Sequence, residues 1–171
     1  MGELTIQIDS REHKSERERI EKQFDALHVK HFNSKLYVGD YMSLDNPRLC
    51  IDRKKDLQEI CGNVCQQHER FTAELKRANE AGIKLIILCE HGEGIKAIED
   101  VLFWDNPRLD IYKWVTVDGK RKRVKAYPRA TSGKSLYKSL CTIQDHYGVR
   151  ILFCDKTETG KKIVEILTNG Y

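Results

Sequence analysis

The sequence predicts an α/β domain built on a mixed β-sheet, and three observations carry that prediction. Segments with strand-like alternation are separated by segments of helical periodicity along most of the 171 residues, the mark of a sheet with helices packed on its faces. Two short, almost continuous apolar runs, over 83–89 and 149–154, read as strands buried on both faces. Between them, Asp118-Gly119 flanked by β-prone residues gives the strongest hairpin signal in the chain.

The elements follow in order. Leu4, Ile6 and Ile8 alternate with Thr5 and Gln7, a strand over 4–9 that delivers Asp9 at its C-terminal end. A helix starts near Ser15, with Ile20, Phe24 and Leu27 as its buried stripe and Glu16, Glu18 and Glu21 on its solvated face. Two or three strands follow, roughly 29–32, 36–44 and 49–54. Val64, Phe71, Leu75 and Ala78 mark one long amphipathic helix that ends near Gly82. The buried strand 83–89 runs into Glu90-His91-Gly92-Glu93-Gly94, which lacks the spacing of a phosphate loop and reads as a strand-to-helix turn. Ser132-Gly133-Lys134-Ser135 fails the same test, because Pro128 stands where the first loop glycine belongs. Leu136, Leu140 and Ile143 mark another helix, 149–154 a strand, and Thr157 the cap of a further helix burying Ile163, Ile166 and Leu167. The pentapeptide Asp45-Asn46-Pro47-Arg48-Leu49 recurs at 105–109, which favours turns and nothing larger.

Composition fits one globular domain: 40% apolar, 33% charged and three prolines. No apolar run approaches the roughly 20 residues of a membrane span, and no secretion signal opens the chain. The expected setting is intracellular, cytoplasmic or, in a eukaryote, nuclear. Six cysteines scattered through apolar runs read as reduced, buried hydrophobes. Cys61, Cys65 and His68 would share one helix face, a weak zinc pattern without a second pair. The net charge of +4 hides an asymmetry: residues 112–138 hold nine basic side chains and one acid, +8, which leaves −4 on the rest. A basic block on an acidic body is how a polyanion-binding surface looks in sequence.

Spacing alone marks one further stretch. Asp40 and Asp52 lie symmetrically about the turn-prone residues 45–48, so a hairpin folded there sets them opposite each other. Lys54 stands two residues past Asp52 and shares its strand face. Two carboxylates and an ammonium group at a sheet edge suit a divalent metal and a phosphate.

Asp9-Ser10-Arg11-Glu12, then Gly39-Asp40-Tyr41, then Asp52-Arg53-Lys54 resemble, in order and spacing, the motifs of the XPF family of structure-selective DNA endonucleases, a branch of the PD-(D/E)xK superfamily. Two positions depart from that family's pattern. Asp52 replaces its glutamate, and Gln58 stands where its last aspartate belongs, with Asp56 and Glu59 nearby. The resemblance implies a restriction-endonuclease-like mixed sheet flanked by helices, with Asp40, Asp52 and Asp9 as ligands of Mg²⁺ or Mn²⁺. It implies Lys54 as the charge that steadies the transition state, and Arg11 and Arg53 as phosphate clamps or partners of the carboxylates. Glu12 is a further acid near the site, Glu16 a weaker one, and Arg70 matches an arginine placed after the signature. The expected partner is DNA, cut near branches or flaps to leave 3′-hydroxyl and 5′-phosphate ends, often by dimers.

The basic insert, about 112–131, reads as a wing that grips the DNA backbone through Lys120, Arg121, Lys122, Arg123, Lys125 and Arg129. The expected organisation is a single nuclease domain over 1–171 without a helix-hairpin-helix module, similar to bacterial or phage stand-alone members. Two other readings stay open: a non-catalytic nucleic-acid-binding domain of the same fold, and a single-strand or RNA-directed nuclease. Tyr112, Trp114, Tyr127 and Tyr137 near the basic run bear on the latter.

Overall fold

The structure, a computed structural model, describes residues 4–170. Met1, Gly2 and Glu3, which the sequence runs straight into the first strand, and Tyr171, the end of the expected domain, lie outside the described residues. In chain order the elements are β1 (Thr5–Asp9), α1 (Lys14–Ala26), β2 (Lys30–Ser34), β3 (Tyr41–Ser43), β4 (Asn46–Lys54), α2 (Leu57–Cys65), α3 (His68–Glu80) and β5 (Lys84–Cys89). Two 3₁₀ turns (Ile98–Phe103 and Pro107–Asp110) lead to β6 (Tyr112–Val117), β7 (Lys120–Lys125), α4 (Gly133–Tyr147), β8 (Arg150–Phe153) and α5 (Thr159–Asn169). The expected mixed sheet is present, six-stranded in the order β2-β1-β3-β4-β5-β8, with β6 and β7 as a separate two-stranded sheet. In the six-stranded sheet β3 runs antiparallel to both its neighbours and the other pairs are parallel, while β6 and β7 are antiparallel.

Strand alternation builds two cores. Ile6, Ile8, Leu49, Ile51, Ile86 and Leu88 face α1 and α5, where Ile20, Phe24, Ile163 and Ile166 cover them. Cys50, Leu85, Ile87 and Cys89 cluster instead with Leu57, Ile60, Phe71, Leu75, Leu136 and Leu140 of α2, α3 and α4. Past Ile51 the same alternation continues into charged residues, so Asp52 and Lys54 fall on the α2–α3 side and Arg53 on the α1–α5 side.

Several expected details differ. The span 36–44 is strand only over Tyr41–Ser43, because Gly39 adopts φ +71° just before it. The hairpin closes at Leu44-Asp45, ahead of the expected 45–48 turn, with Ser43 paired to Asn46. A register shift after Met42 leaves residues 47–49 unmatched on β3, and Pro47, with no N–H to donate, suits such a place. The expected long helix is broken between α2 and α3, where the N–H groups of Gln66 and Gln67 both donate to the Gly62 carbonyl at 2.9 Å. That break puts Cys65 at the end of one helix and His68 at the start of the next, so the helix face shared by Cys61, Cys65 and His68 does not form. Leu27 is the exposed C-cap of α1 rather than part of its buried stripe, since His28 at φ +55° turns the chain away.

Thr157 caps nothing: α5 begins at Thr159, whose buried hydroxyl donates to Glu90 Oε1 at 2.6 Å. Ser132 caps α4, and Gly133 is required there because a Cβ would meet the carbonyl oxygens of Val101 and Trp104 at 2.5 Å. The repeated pentapeptide folds in two ways, entering β4 at its first occurrence and forming a 3₁₀ turn capped by Asn106 at its second. Among the described residues no helix is long and apolar enough to cross a membrane.

Candidate active site

Three backbone N–H groups bring the motifs together, two donating to carbonyls and one to a carboxylate. Asp9 N–H donates to the Asp40 carbonyl at 2.8 Å, Asp40 N–H to the Ile51 carbonyl at 2.7 Å, and Arg53 N–H to Asp40 Oδ2 at 2.8 Å. Pairing of Tyr41 with Ile51 sets Asp40 opposite Asp52, as their symmetry about the turn predicts. Gly39 allows this approach: with φ +71°, a Cβ there would lie 2.9 Å from the Ile51 oxygen.

The two carboxylates face one pocket of about 370 Å³, which Asp9, Arg11, Glu12, Lys54, Glu59 and Arg70 also line. Burial and the charges of Asp52 and Glu12 push the Asp40 carboxyl well above the usual range. Burial likewise raises Asp52, against the pull of Lys54 and with the charge of Glu74 adding to it. Lys54 Nζ donates to Asp52 Oδ1 at 2.9 Å. Asp52 Oδ2 is equally near the ammonium but outside hydrogen-bonding geometry, and it is buried without a hydrogen-bond partner. Burial alone would lower the Lys54 pKa, but the charges of Asp52 and Asp40 outweigh it and keep the side chain an ammonium ion. That ammonium also sits 5.9 Å from the Phe71 ring centroid.

Asp9 is buried, and both of its oxygens accept from Arg11, with the Arg11 backbone N–H adding a bond of 3.0 Å. Burial would raise its pKa, yet those hydrogen bonds and the guanidinium charge hold the carboxyl below the carboxylate range.

Arg53 has another setting. Its buried guanidinium donates to Glu12 (2.9 and 3.2 Å) and Glu90 (2.9 Å), with Glu16 at 3.5 Å. Arg19 joins the cluster through Glu16 (2.9 Å) and Glu90 (2.6 Å). Glu16 therefore belongs to an ion-pair network and not to a plain solvated face, and Glu90 to the same network rather than to a phosphate loop. His91 accepts the Leu57 N–H on Nδ1 at 3.2 Å, so this loop anchors the start of α2.

The acids near the family's last aspartate separate as well. Asp56 caps α2 by accepting the Glu59 N–H at 2.7 Å, while Glu59 accepts the Lys55 N–H at 2.8 Å and lies on the pocket wall. Gln58 lies on the wall of an adjoining groove.

Two charged residues of the pocket, Glu74 and Arg77, and the ring of Tyr37 lie outside the sequence motifs. Arg70, Glu74 and Arg77 lie at i, i+4 and i+7 on α3, one face that closes the pocket. Glu74 accepts the Gly39 N–H at 3.3 Å, and Arg77 lies 5.8 Å from the Tyr37 ring. The signal was available, since the face already contained Arg70. Lys120, Arg121, Lys122, Arg123, Lys125 and Arg129 are all exposed on or just beyond the β6–β7 hairpin, apart from the carboxylate pocket.

Hard oxygen donors in mutual repulsion, one of them a buried oxygen without a hydrogen bond, fit a divalent cation. Among the described residues no three ligand-type side chains already converge as a ready-made set. Asp9 lines the same pocket, with both its oxygens engaged by Arg11.

No curated protein matches this sequence. Solved structures do share the fold. XPF from Aeropyrum pernix aligns with a TM-score of 0.61 at 19% identity, over 95% of this chain and 63% of that one. The same protein in complex with DNA aligns with a TM-score of 0.61 at 20% identity, over 96% and 64%. The chain thus spans a little under two thirds of the length of those XPF chains. The ERCC4 domain matches residues 8–166, nearly everything from the strand that delivers Asp9 to the helix that packs beneath it, and the chain belongs to the ERCC4 domain family.

Proposed function

We propose that this chain is a Mg²⁺- or Mn²⁺-dependent endonuclease that hydrolyses phosphodiester bonds of DNA, selectively at flaps, forks or junctions. The observation that carries the reading is the grouping of Asp40, Asp52 and Lys54 in one polar pocket, two repelling carboxylates beside a fixed ammonium ion. When bound, a divalent cation on Asp40 and Asp52, with Asp9 lining the same pocket, would supply the Lewis acidity that draws charge from the scissile phosphate.

The chain's own residues do the rest. Asp52 fixes Lys54 at 2.9 Å, and the ammonium steadies the negative charge that gathers on the phosphoryl oxygens. Arg70 and Arg77, exposed on the pocket wall, suit the flanking phosphates. Arg11, with 60% of its side chain exposed, can serve Asp9 and a phosphate in turn. Arg53 is a positioning residue, since its backbone N–H holds Asp40 while its guanidinium is spent on Glu12 and Glu90. The DNA complex of the structurally similar XPF supports DNA as the polymer, and the basic hairpin adds a backbone grip. We take 1–171 as one nuclease domain with the hairpin, about 112–131, as its insert.

The test is cleavage of end-labelled linear, nicked, flapped and four-way-junction DNA in Mg²⁺, Mn²⁺ or EDTA, beside Asp52→Ala. Cutting that needs metal, prefers branches and disappears in the variant is the expected result. Tight DNA binding without cutting in either metal would overturn the enzyme reading in favour of a binding domain.

A further inference from the structure

The β6–β7 hairpin is not an ordinary basic arm. Cross-strand pairing of Tyr112 with Lys125, Trp114 with Arg123 and Thr116 with Arg121 puts both aromatics and three cations on one face. The other face holds Lys113, Lys120 and Lys122 among Val115, Val117 and Val124, of which Val115 and Val124 are partly buried. On the aromatic face Arg121 leans to within 5.3 Å of the Trp114 ring centroid and Arg123 to 4.4 Å of Tyr112. With those guanidiniums in place, Trp114 still keeps 61% of its surface open and Tyr112 keeps 42%. Backbone gripping needs cations alone. It does not need an indole held outward between them.

The face also connects with the carboxylates. A groove of about 560 Å³ shares Glu12, Arg53 and Glu59 with the active-site pocket and continues past Lys55 to Arg108. Arg108 in turn lies 5.2 Å from the ring of Tyr127, which is 45% exposed. Just before Tyr127, Ala126 N–H closes the base of the hairpin on the Ile111 carbonyl at 2.8 Å. Arg108 and Tyr127 therefore link the far end of this groove, whose wall also carries Glu12, Glu16, Asp56 and Glu59, to the base of the hairpin.

We propose that this aromatic face is a stacking platform for unpaired bases, so that the substrate presents a single-stranded segment running from the carboxylate pocket past Arg108 and Tyr127 onto Trp114 and Tyr112. Spacing decides between single strand and duplex. Alternate residues of a strand stand roughly 6.8 Å apart, about twice the 3.4 Å step between bases stacked within a duplex strand. Consecutive bases of an extended strand can each meet a ring, whereas bases held in a duplex cannot. The arginines between the rings meet the phosphates of that strand, and stacking is indifferent to sequence because every base has a π-face. The inference rests on the nuclease reading for the direction of the path, but not for the platform itself.

The experiment is Trp fluorescence in EDTA, titrating the full chain with a 20-mer of oligothymidylate and, separately, with a blunt duplex of equal length. Trp104 is buried at 8% exposure, so a change on binding reports Trp114. We expect quenching by the single strand and none by the duplex, with the quench absent in Trp114→Phe. The double variant Trp114→Ala/Tyr112→Ala should weaken single-strand binding by roughly 5- to 150-fold for each ring lost and leave duplex affinity in place. Equal quenching by duplex, or a double variant that binds the single strand as the wild type does, would overturn the platform. Because no cutting occurs in EDTA, quenching by a chain that fails to cleave in metal would refute the nuclease reading and support the platform. Cleavage without quenching would do the reverse.

Discussion

Arg53 offers the sharpest separation of structural from catalytic roles, because it sits between Asp52 and Lys54 yet faces the other side of the sheet. Arg53→Met would leave its carboxylate partners in place without the cation. Removing one partner of a buried ion pair costs about 3–5 kcal/mol, and the structure places this case at the lower end. Glu90, with no side-chain exposure, keeps Arg19 at 2.6 Å and the Thr159 hydroxyl at 2.6 Å. Glu16 keeps Arg19 at 2.9 Å. Glu12, with 8% of its side chain exposed, keeps the His13 N–H at 3.0 Å but loses its cation. A loss near 3 kcal/mol, at a urea dependence of about 2 kcal/mol per molar, moves the unfolding midpoint down by roughly 1.5 M. Equilibrium urea unfolding of the wild type, Arg53→Met and Arg53→Met/Glu12→Gln measures this. The double variant should recover part of the loss, since it removes the stranded charge. A midpoint unchanged in Arg53→Met, together with lost cleavage, would refute the structural assignment and return Arg53 to the substrate.

Other outcomes follow from the same geometry. Asp40→Asn should leave the thermal midpoint in EDTA equal to or above that of the wild type, because it relieves the repulsion that raises this carboxyl, while cleavage is lost. Gly39→Ala should cost about 1–3 kcal/mol for a side chain forced into a left-handed conformation, visible in urea unfolding, and should reduce cleavage by shifting Asp40 off the Ile51 carbonyl. Burial opposes the Glu16 charge, but Arg19 outweighs it and holds the carboxyl below its ordinary value of 4.5. Its contribution is therefore whole above that value and is lost as pH falls through the lower folded value. Acid unfolding should accordingly be shallower in Glu16→Gln than in the wild type. Arg70→Ala/Arg77→Ala should reduce the slope of log duplex affinity against log salt by about 2, one unit per phosphate contact.

Sequence made some of this legible and hid the rest for physical reasons. The opposition of Asp40 and Asp52 was readable from the turn expected at 45–48, and it holds with a turn at Leu44-Asp45 because the three extra β4 residues 47–49 restore that register from Met42–Cys50 onward. The Asp118-Gly119 hairpin was readable because both residues take positive φ there, 52° and 72°, a demand few residue types meet. The separation of Arg53 from Asp52 and Lys54 was implicit in a period of two, but its meaning depended on Glu12, Glu16 and Glu90, which reach it from other elements. Glu74 shares a legible helix face with Arg70, but its bond to the Gly39 N–H was hidden because it depends on where α3 docks against the sheet. The pentapeptide at 45–49 and 105–109 shows the general limit: identical local preferences end in a strand and in a 3₁₀ turn, and the neighbours decide.

The contact between Thr159 and Glu90 bears on when the protein becomes competent during folding. Asp9, Asp40 and Asp52 come from β1, the residue before β3, and β4, strands that pair with one another in that order. Between those strands and α1, however, lies a guanidinium whose counter-charge, Glu90 just after β5, is held by a hydroxyl on α5. Until α5 docks, that internal glutamate lacks one of its donors and the strand bearing Asp52 and Lys54 sits on an unsettled base. Docking of α5, the last helix in chain order, thus completes the bonding of a buried glutamate that also holds Arg53, the residue between Asp52 and Lys54.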